Sequence, residues 1–119
     1  ILLVTHDLNL VARFADDVAV MYAGRLVESG DVASVLERPL HPYTQALRAS
    51  APGGSEGRGR HLRTIAGEPP LIGRLPSGCS FRPRCQRSAN RAECIASEPG
   101  IRPVAGRDVA CAFAEEATQ

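Results

Sequence analysis

Lysine is missing from this chain: all 14 basic residues among its 119 are arginine. A phosphate-binding loop of the G-x-x-x-x-G-K-[ST] type needs its lysine, so the chain carries no such loop, and Schiff-base chemistry at a lysine amine is excluded with it. Tryptophan is absent as well, and the aromatic complement is two Tyr and three Phe. Phe81 and Phe113 are the only rings beyond residue 50, too few for a base-stacking platform. With a net charge of only +1 there is also no long-range field to gather an anionic polymer, so no nucleic-acid partner is expected. No apolar run approaches the ~18 to 20 residues of a membrane span, and no cationic start precedes an apolar stretch in the manner of a secretion signal. The single Met is Met21 and the first residue is Ile1, so the chain is expected to be a piece of a longer protein.

What is present divides unevenly. The hydrophobic share of 44% fits a soluble globular chain, and at this length roughly two-thirds of the unfolded surface can be buried, enough for one small core. Residues 1–50 carry 4 Arg against 6 acids, whereas residues 51–119 carry 10 Arg against 7 acids, all four Cys and seven of the nine Pro. The stretch APGGSEGRGR over residues 51–60 reads as a flexible connector. Three parts are therefore expected: residues 1–50, a linker over 51–78, and a cysteine-containing module over 79–119.

The first part has clear periodicity. Ile1-Leu2-Leu3-Val4 is the unbroken apolar run of a parallel strand covered on both faces. Asp7 can cap a helix whose Leu8, Val11, Ala12 and Ala15 share a face. Val18–Tyr22 is strand-like, and Ala23-Gly24 turns it into a second strand over Arg25–Glu28, forming a hairpin. Gly30 is expected to end that strand and Asp31 to cap a short helix through Glu37, which Pro39 stops. His41-Pro42-Tyr43-Thr44 reads as a helix start, with His41 at the cap, Pro42 in the first turn and Tyr43, Ala46 and Leu47 on the packing face to about Ala49. Beyond residue 50 the prolines forbid long helices and central strands, so something besides apolar burial must hold that region.

Two constellations carry chemistry. His6 lies where a buried strand gives way to a helix, and in open α/β sheets the ligand crevice lies outside the carboxyl ends of the strands. An imidazole there can donate to a phosphate oxygen, or simply be the polar residue that leaves the strand. The second is Cys79-x5-Cys85-x8-Cys94-x16-Cys111. Four Cys in a short Pro-rich segment mean a disulfide framework or a metal site, and reduced thiols favour metal. An all-sulfur cage suits zinc or an iron–sulfur cluster, although the C-x2-C knuckle of a zinc ribbon is missing. Residues 58–91 hold 8 Arg against the single acid Glu68, and Arg82 and Arg84 flank the first two Cys, where cations would stabilise thiolates. His61, among Arg60 and Arg63, is expected to be solvated.

Together these residues resemble a known family. ILLVTHDLNLVARFADDVAVMYAGRLVES, residues 1–29, is similar to the segment of ABC-transporter ATPases that follows the Walker B and D-loop region, with its switch-loop histidine in V-T-H-D. L-E-R-P-L-H-P-Y-T-Q-A-L and the later G-C-S-F-R-P-R-C resemble the C-terminal extension of the oligopeptide/dipeptide importer subfamily. The resemblance implies an α/β fold: the C-terminal part of a P-loop NTPase domain followed by a small irregular Cys-rich, metal-stabilised module. It implies that His6 contacts the γ-phosphate of ATP with Mg2+, and that Cys79, Cys85, Cys94 and Cys111 hold a [4Fe–4S] cluster, with Zn2+ the alternative. The implied partners are membrane-spanning permease subunits, a second ATP-binding subunit and, indirectly, a peptide-binding protein, at the cytoplasmic face of the inner membrane. Because Walker A, the signature motif and Walker B are not in this sequence, the chain alone is expected to hydrolyse no ATP. The competing expectation is a stand-alone metal-stabilised binding module without ATP chemistry.

Overall fold

The computed structural model describes residues 1–52, 64–71, 73–88 and 90–118. Most of the expected connector, together with His61, lies outside the described residues.

Local sequence sets the first elements. Asp7 Oδ1 accepts from the amides of Asn9 (2.9 Å) and Leu10 (3.3 Å), satisfying donors that the first turn of a helix leaves free, and α1 runs over Leu8–Phe14. Val11 is its buried residue. The strands β1 (Asp17–Tyr22) and β2 (Arg25–Asp31) form an antiparallel hairpin. Ala23 and Gly24, at φ 49° and 76°, give the double positive-φ turn whose twist matches that of the flanking strands. The register shifts between Val20 and Met21, which leaves Val27 as the extra residue on β2.

Two sequence expectations fail here. Gly30 does not end β2: it pairs with Val18, and the strand continues to Asp31, opposite Asp17. Asp31 nonetheless caps the next helix as expected, accepting from Ser34 N at 3.0 Å, so strand end and helix cap are one residue; α2 covers Val32–Glu37. Ile1–Val4 is not a strand. The four residues have no ladder partner in the sheet and are exposed, and an apolar run without neighbouring strands has nothing to cover its two faces.

The third helix, α3 (Pro42–Ser50), starts at the expected cap, with His41 Nδ1 accepting from Tyr43 N at 3.0 Å. Its most buried residue is Thr44, so the packing face is centred there, with Tyr43 and Leu47 on its flanks against the core. Beyond residue 64 the described elements are all short: a 3-10 turn at Arg82–Arg84, α4 (Ala92–Ala96), β3 (Arg102–Val104), β4 (Arg107–Val109) and a last 3-10 turn at Ala114–Ala117. One sheet of order β1-β2-β4-β3 contains both hairpins, all antiparallel. Pro103 lies in β3, at the sheet edge, where a missing amide costs no ladder bond. The fold is thus mixed α/β around an antiparallel sheet.

Two apolar clusters flank that sheet. The first gathers Val20, Tyr22, Val27, Val35 and Phe81, with Tyr43, Leu47 and Ile65 packed on it. The second gathers Leu40, Val104, Val109 and Ala114. Three rings meet in the first: Tyr22 lies 4.7 Å from Tyr43 and 5.1 Å from Phe81, and Tyr43 lies 5.5 Å from Phe81.

Candidate functional site: a cavity ringed by four cysteines

The buried Glu28 ties the sheet to the segment that leads into the site. It has no exposed surface, and its two carboxylate oxygens accept from the amides of Leu40 (2.9 Å) and His41 (3.0 Å). Arg107 of β4 balances the charge, its Nη1 3.6 Å from Glu28 Oε1 while donating to the Ser34 carbonyl. A buried carboxylate is tolerable only with such pairing. The clip fixes His41, which is itself buried and stands 5.9 Å from Phe81. Burial, with the nearby Arg87 charge, lowers the imidazole pKa to about 4, so His41 is neutral and its Nδ1 is free to cap α3.

Beyond His41, Cys79, Cys85, Cys94 and Cys111 all line one cavity. The cavity is narrow, with a volume of about 20 Å³. Cys79 and Cys85 pack on the first apolar cluster and Cys111 on the second, so the cavity lies where the clusters meet. All four are free thiols. Burial pushes the Cys79 pKa up to about 11 and raises those of Cys94 and Cys111.

The backbone brings the cysteines together by close approach. Cys79 N donates to Cys94 O at 2.9 Å, which requires the preceding residue to be almost without bulk. Gly78 meets that need: a Cβ there would overlap the carbonyl oxygen of Cys94 and stand 2.6 Å from that of Ile95, and its φ of 73° suits glycine alone. Ser80, next in the chain, is held by Glu98, which accepts from its amide at 2.8 Å and its hydroxyl at 3.2 Å. The 3-10 turn then carries the chain to Cys85, whose amide donates to Arg82 O at 3.2 Å.

The arginines around the cavity are not the pair that flanks the first two Cys in sequence. Arg82 lines it, but Arg84 turns away, donating to the carbonyls of Ala66 (3.0 Å) and Ile65 (3.3 Å) and to Tyr22 Oη (3.4 Å). Its place is taken by Arg87, which the sequence pattern did not single out. Arg87 Nη2 donates to Gln45 Oε1 at 2.6 Å, a contact across 42 residues that spacing could not reveal. His6, the other candidate, is exposed on the far side of α1 in the chain order, and nothing brings it to the cysteine cavity.

Whether this donor set fits a metal group is a question of chemistry and span. Four soft sulfur donors suit zinc or iron–sulfur. Among the described residues, no group of three or more His, Cys, Asp or Glu side chains is disposed to hold a metal ion. All four cysteines line one cavity, so the donor set that either group needs is present on its wall.

Comparison with known proteins places the chain. The family described as "Oligopeptide/dipeptide transporter, C-terminal region" matches residues 27–94, more than half of it. The chain belongs to this family. It is 45% identical over 108 residues to a peptide import ATP-binding protein of Brucella ovis, a match covering 87% of this chain and 31% of that protein. A peptide import ATP-binding protein of Brucella abortus is 40% identical over 111 residues, covering 93% of this chain and 32% of its own length. The chain thus spans about a third of the length of these relatives. No helix among the described residues is long and apolar enough to cross a membrane.

Proposed function

We propose that this chain is the C-terminal part of the ATP-binding subunit of a peptide importer, and that its four cysteines hold a [4Fe–4S] cluster as a structural accessory site. The observation that carries the cluster reading is the convergence of Cys79, Cys85, Cys94 and Cys111, from four separate segments, on one cavity. Such a group would supply the cross-link that the short elements beyond residue 64 lack, and a one-electron couple. The chain's own residues do the rest: Gly78 admits the close approach of two cysteine segments, and the Glu28–Arg107 clip positions His41 in the cavity wall.

Family membership supports the ATP-linked half of the reading. In the whole subunit, His6 is the residue proposed to reach the γ-phosphate of Mg-ATP and to stabilise charge in the transition state. The proposed partners are membrane-spanning permease subunits and a second ATP-binding subunit, with the protein peripheral at the cytoplasmic membrane face and a peptide-binding protein as indirect partner. Residues 1–50 then end the nucleotide-binding domain and residues 79–119 form the accessory module.

Anaerobic purification with metal analysis and visible spectroscopy tests the cluster; a colourless protein with one zinc per chain overturns it in favour of zinc. For His6, replacement by Ala in the whole subunit is expected to lower ATP turnover by about 10²- to 10³-fold, the effect of removing one donor at developing charge. Unchanged turnover removes His6 from the catalytic set.

A further inference from the structure

Two guanidinium nitrogens stand out beside the cysteine cavity. Arg87 Nη1 and Arg82 Nε are buried and have no hydrogen-bond partner among the described residues, and both side chains line the cavity. A buried donor left unpaired keeps its full desolvation penalty, larger when it is charged, so two of them at one wall are not accounted for by packing. Arg87 is nevertheless firmly held. Gln45 Oε1 accepts from its Nη2 at 2.6 Å, and Gln45 Nε2 donates to the Pro39 carbonyl at 2.8 Å. With both ends of the amide engaged, its orientation is fixed by the network, and it aims the guanidinium.

We infer that Arg87, oriented by Gln45 of α3, and Arg82 donate hydrogen bonds to the sulfur of the group that the four cysteines hold. The inference rests on the cysteine-cage reading and adds two donors and one positioning residue to it. Charge arithmetic agrees. Four thiolates around either a zinc ion or an oxidised cubane leave about two negative charges in excess, and two guanidinium groups balance them. Arg84 is not available for this, since its donors are engaged with Tyr22, Ile65 and Ala66. The role also gives a reason for Gln45 in the run His41-Pro42-Tyr43-Thr44-Gln45, where capping explains only the first residues. Hydrogen bonds to the sulfurs and compensating charge raise the potential of a cluster; for either metal they slow its release by keeping the thiolates in place.

The test compares the whole protein, purified anaerobically, with R87M, R87K and Q45M variants after measuring iron and zinc. If iron is bound, R87M shifts the midpoint potential to more negative values, R87K recovers part of the shift, and Q45M moves it in the same direction by less. If zinc is bound, R87M loses it to a chelator about 10-fold faster or more, with the same order among the variants. An R87M protein with wild-type circular dichroism and an unchanged potential, or unchanged chelator kinetics, overturns the inference and leaves the cage standing. Should R87M not fold, Q45M carries the decision, because it removes only the acceptor that aims Arg87, and a wild-type value there overturns the inference. A wild-type protein with neither iron nor zinc overturns cage and donors together, and metal analysis separates the two failures.

Discussion

Glu28 is the residue whose loss the molecule should feel most. It is a charge with no exposed surface, accepting two backbone amides and facing Arg107. Removing one partner of such a pair strands the other, at about 3–5 kcal/mol. Glu28→Gln is expected to lower the urea midpoint accordingly at unchanged m-value, and Glu28→Gln combined with Arg107→Met to cost less than the two single changes summed. Additivity in that cycle would mean the two side chains do not act as a pair. A second residue-scale prediction concerns acid. Arg102 holds Glu115 and also donates to the carbonyls of Cys111 and Ala112, and this pairing lowers the Glu115 pKa from 4.5 to about 2. A carboxylate depressed in the folded state stabilises fully above its unfolded pKa and loses that contribution as protons bind the unfolded chain first. Stability should therefore fall between about pH 4.5 and pH 2, by a small, salt-sensitive amount because the pair is exposed. Glu115→Gln should flatten that part of the profile, and an unchanged profile would assign the acid sensitivity elsewhere. The caps at Asp7, Asp31 and His41 were legible in the sequence because a cap and its amides lie two or three residues apart. The partners of Glu28 lie 12, 13 and 79 residues away, and no local pattern encodes them.

At the scale of elements, the two hairpins show what periodicity can and cannot reach. Tyr22-Ala23-Gly24-Arg25 was readable as a turn because strand-like alternation surrounds it. Val104-Ala105-Gly106-Arg107 makes the same turn, with φ 49° and 79° at its centre, but its strands of three residues each are too short for alternation to register, and Pro103 argues against a strand. The expected strand at Ile1–Val4 failed for the opposite reason: the pattern was strong, but a strand needs a neighbour. The 3-10 turn beyond Ser80 depends on Phe81, which is 2% exposed and closes the aromatic cluster with Tyr22 and Tyr43. Phe81→Ala should cost about 3–5 kcal/mol and loosen Cys79 and Cys85 together, read as a lower thermal midpoint and faster thiol alkylation in the metal-free protein. Gly78→Ala should be as damaging at the cavity itself, since its Cβ would separate the Cys79 and Cys94 segments. If that variant retained metal with wild-type stoichiometry and stability, the close approach would not be what assembles the four cysteines.

The candidate site was half legible for the whole molecule. The number and spacing of the cysteines led to the expectation that they act together, and all four line one cavity. Which cations face them was not legible, because adjacency in sequence favoured Arg84 and the folded chain presents Arg87. The sheet explains how distant segments come to share a wall: β2 pairs with β4 through Glu28–Val109 and Ser29–Asp108, and Ala110 N adds a bond to Val27 O at 2.8 Å, so the last hairpin completes a surface that the first begins. That pairing has a kinetic consequence. Each hairpin can form locally within microseconds, but their junction closes a loop of some eighty residues, and such closures grow in cost only with the logarithm of length. Refolding should thus show an early phase that leaves the cysteines scattered and a later one in which docking of β4 on β2 gathers them. Ten residues inserted between positions 52 and 64 should change the closure term by only about 0.1 kcal/mol, so a longer chain there should still gather its cysteines in the last step.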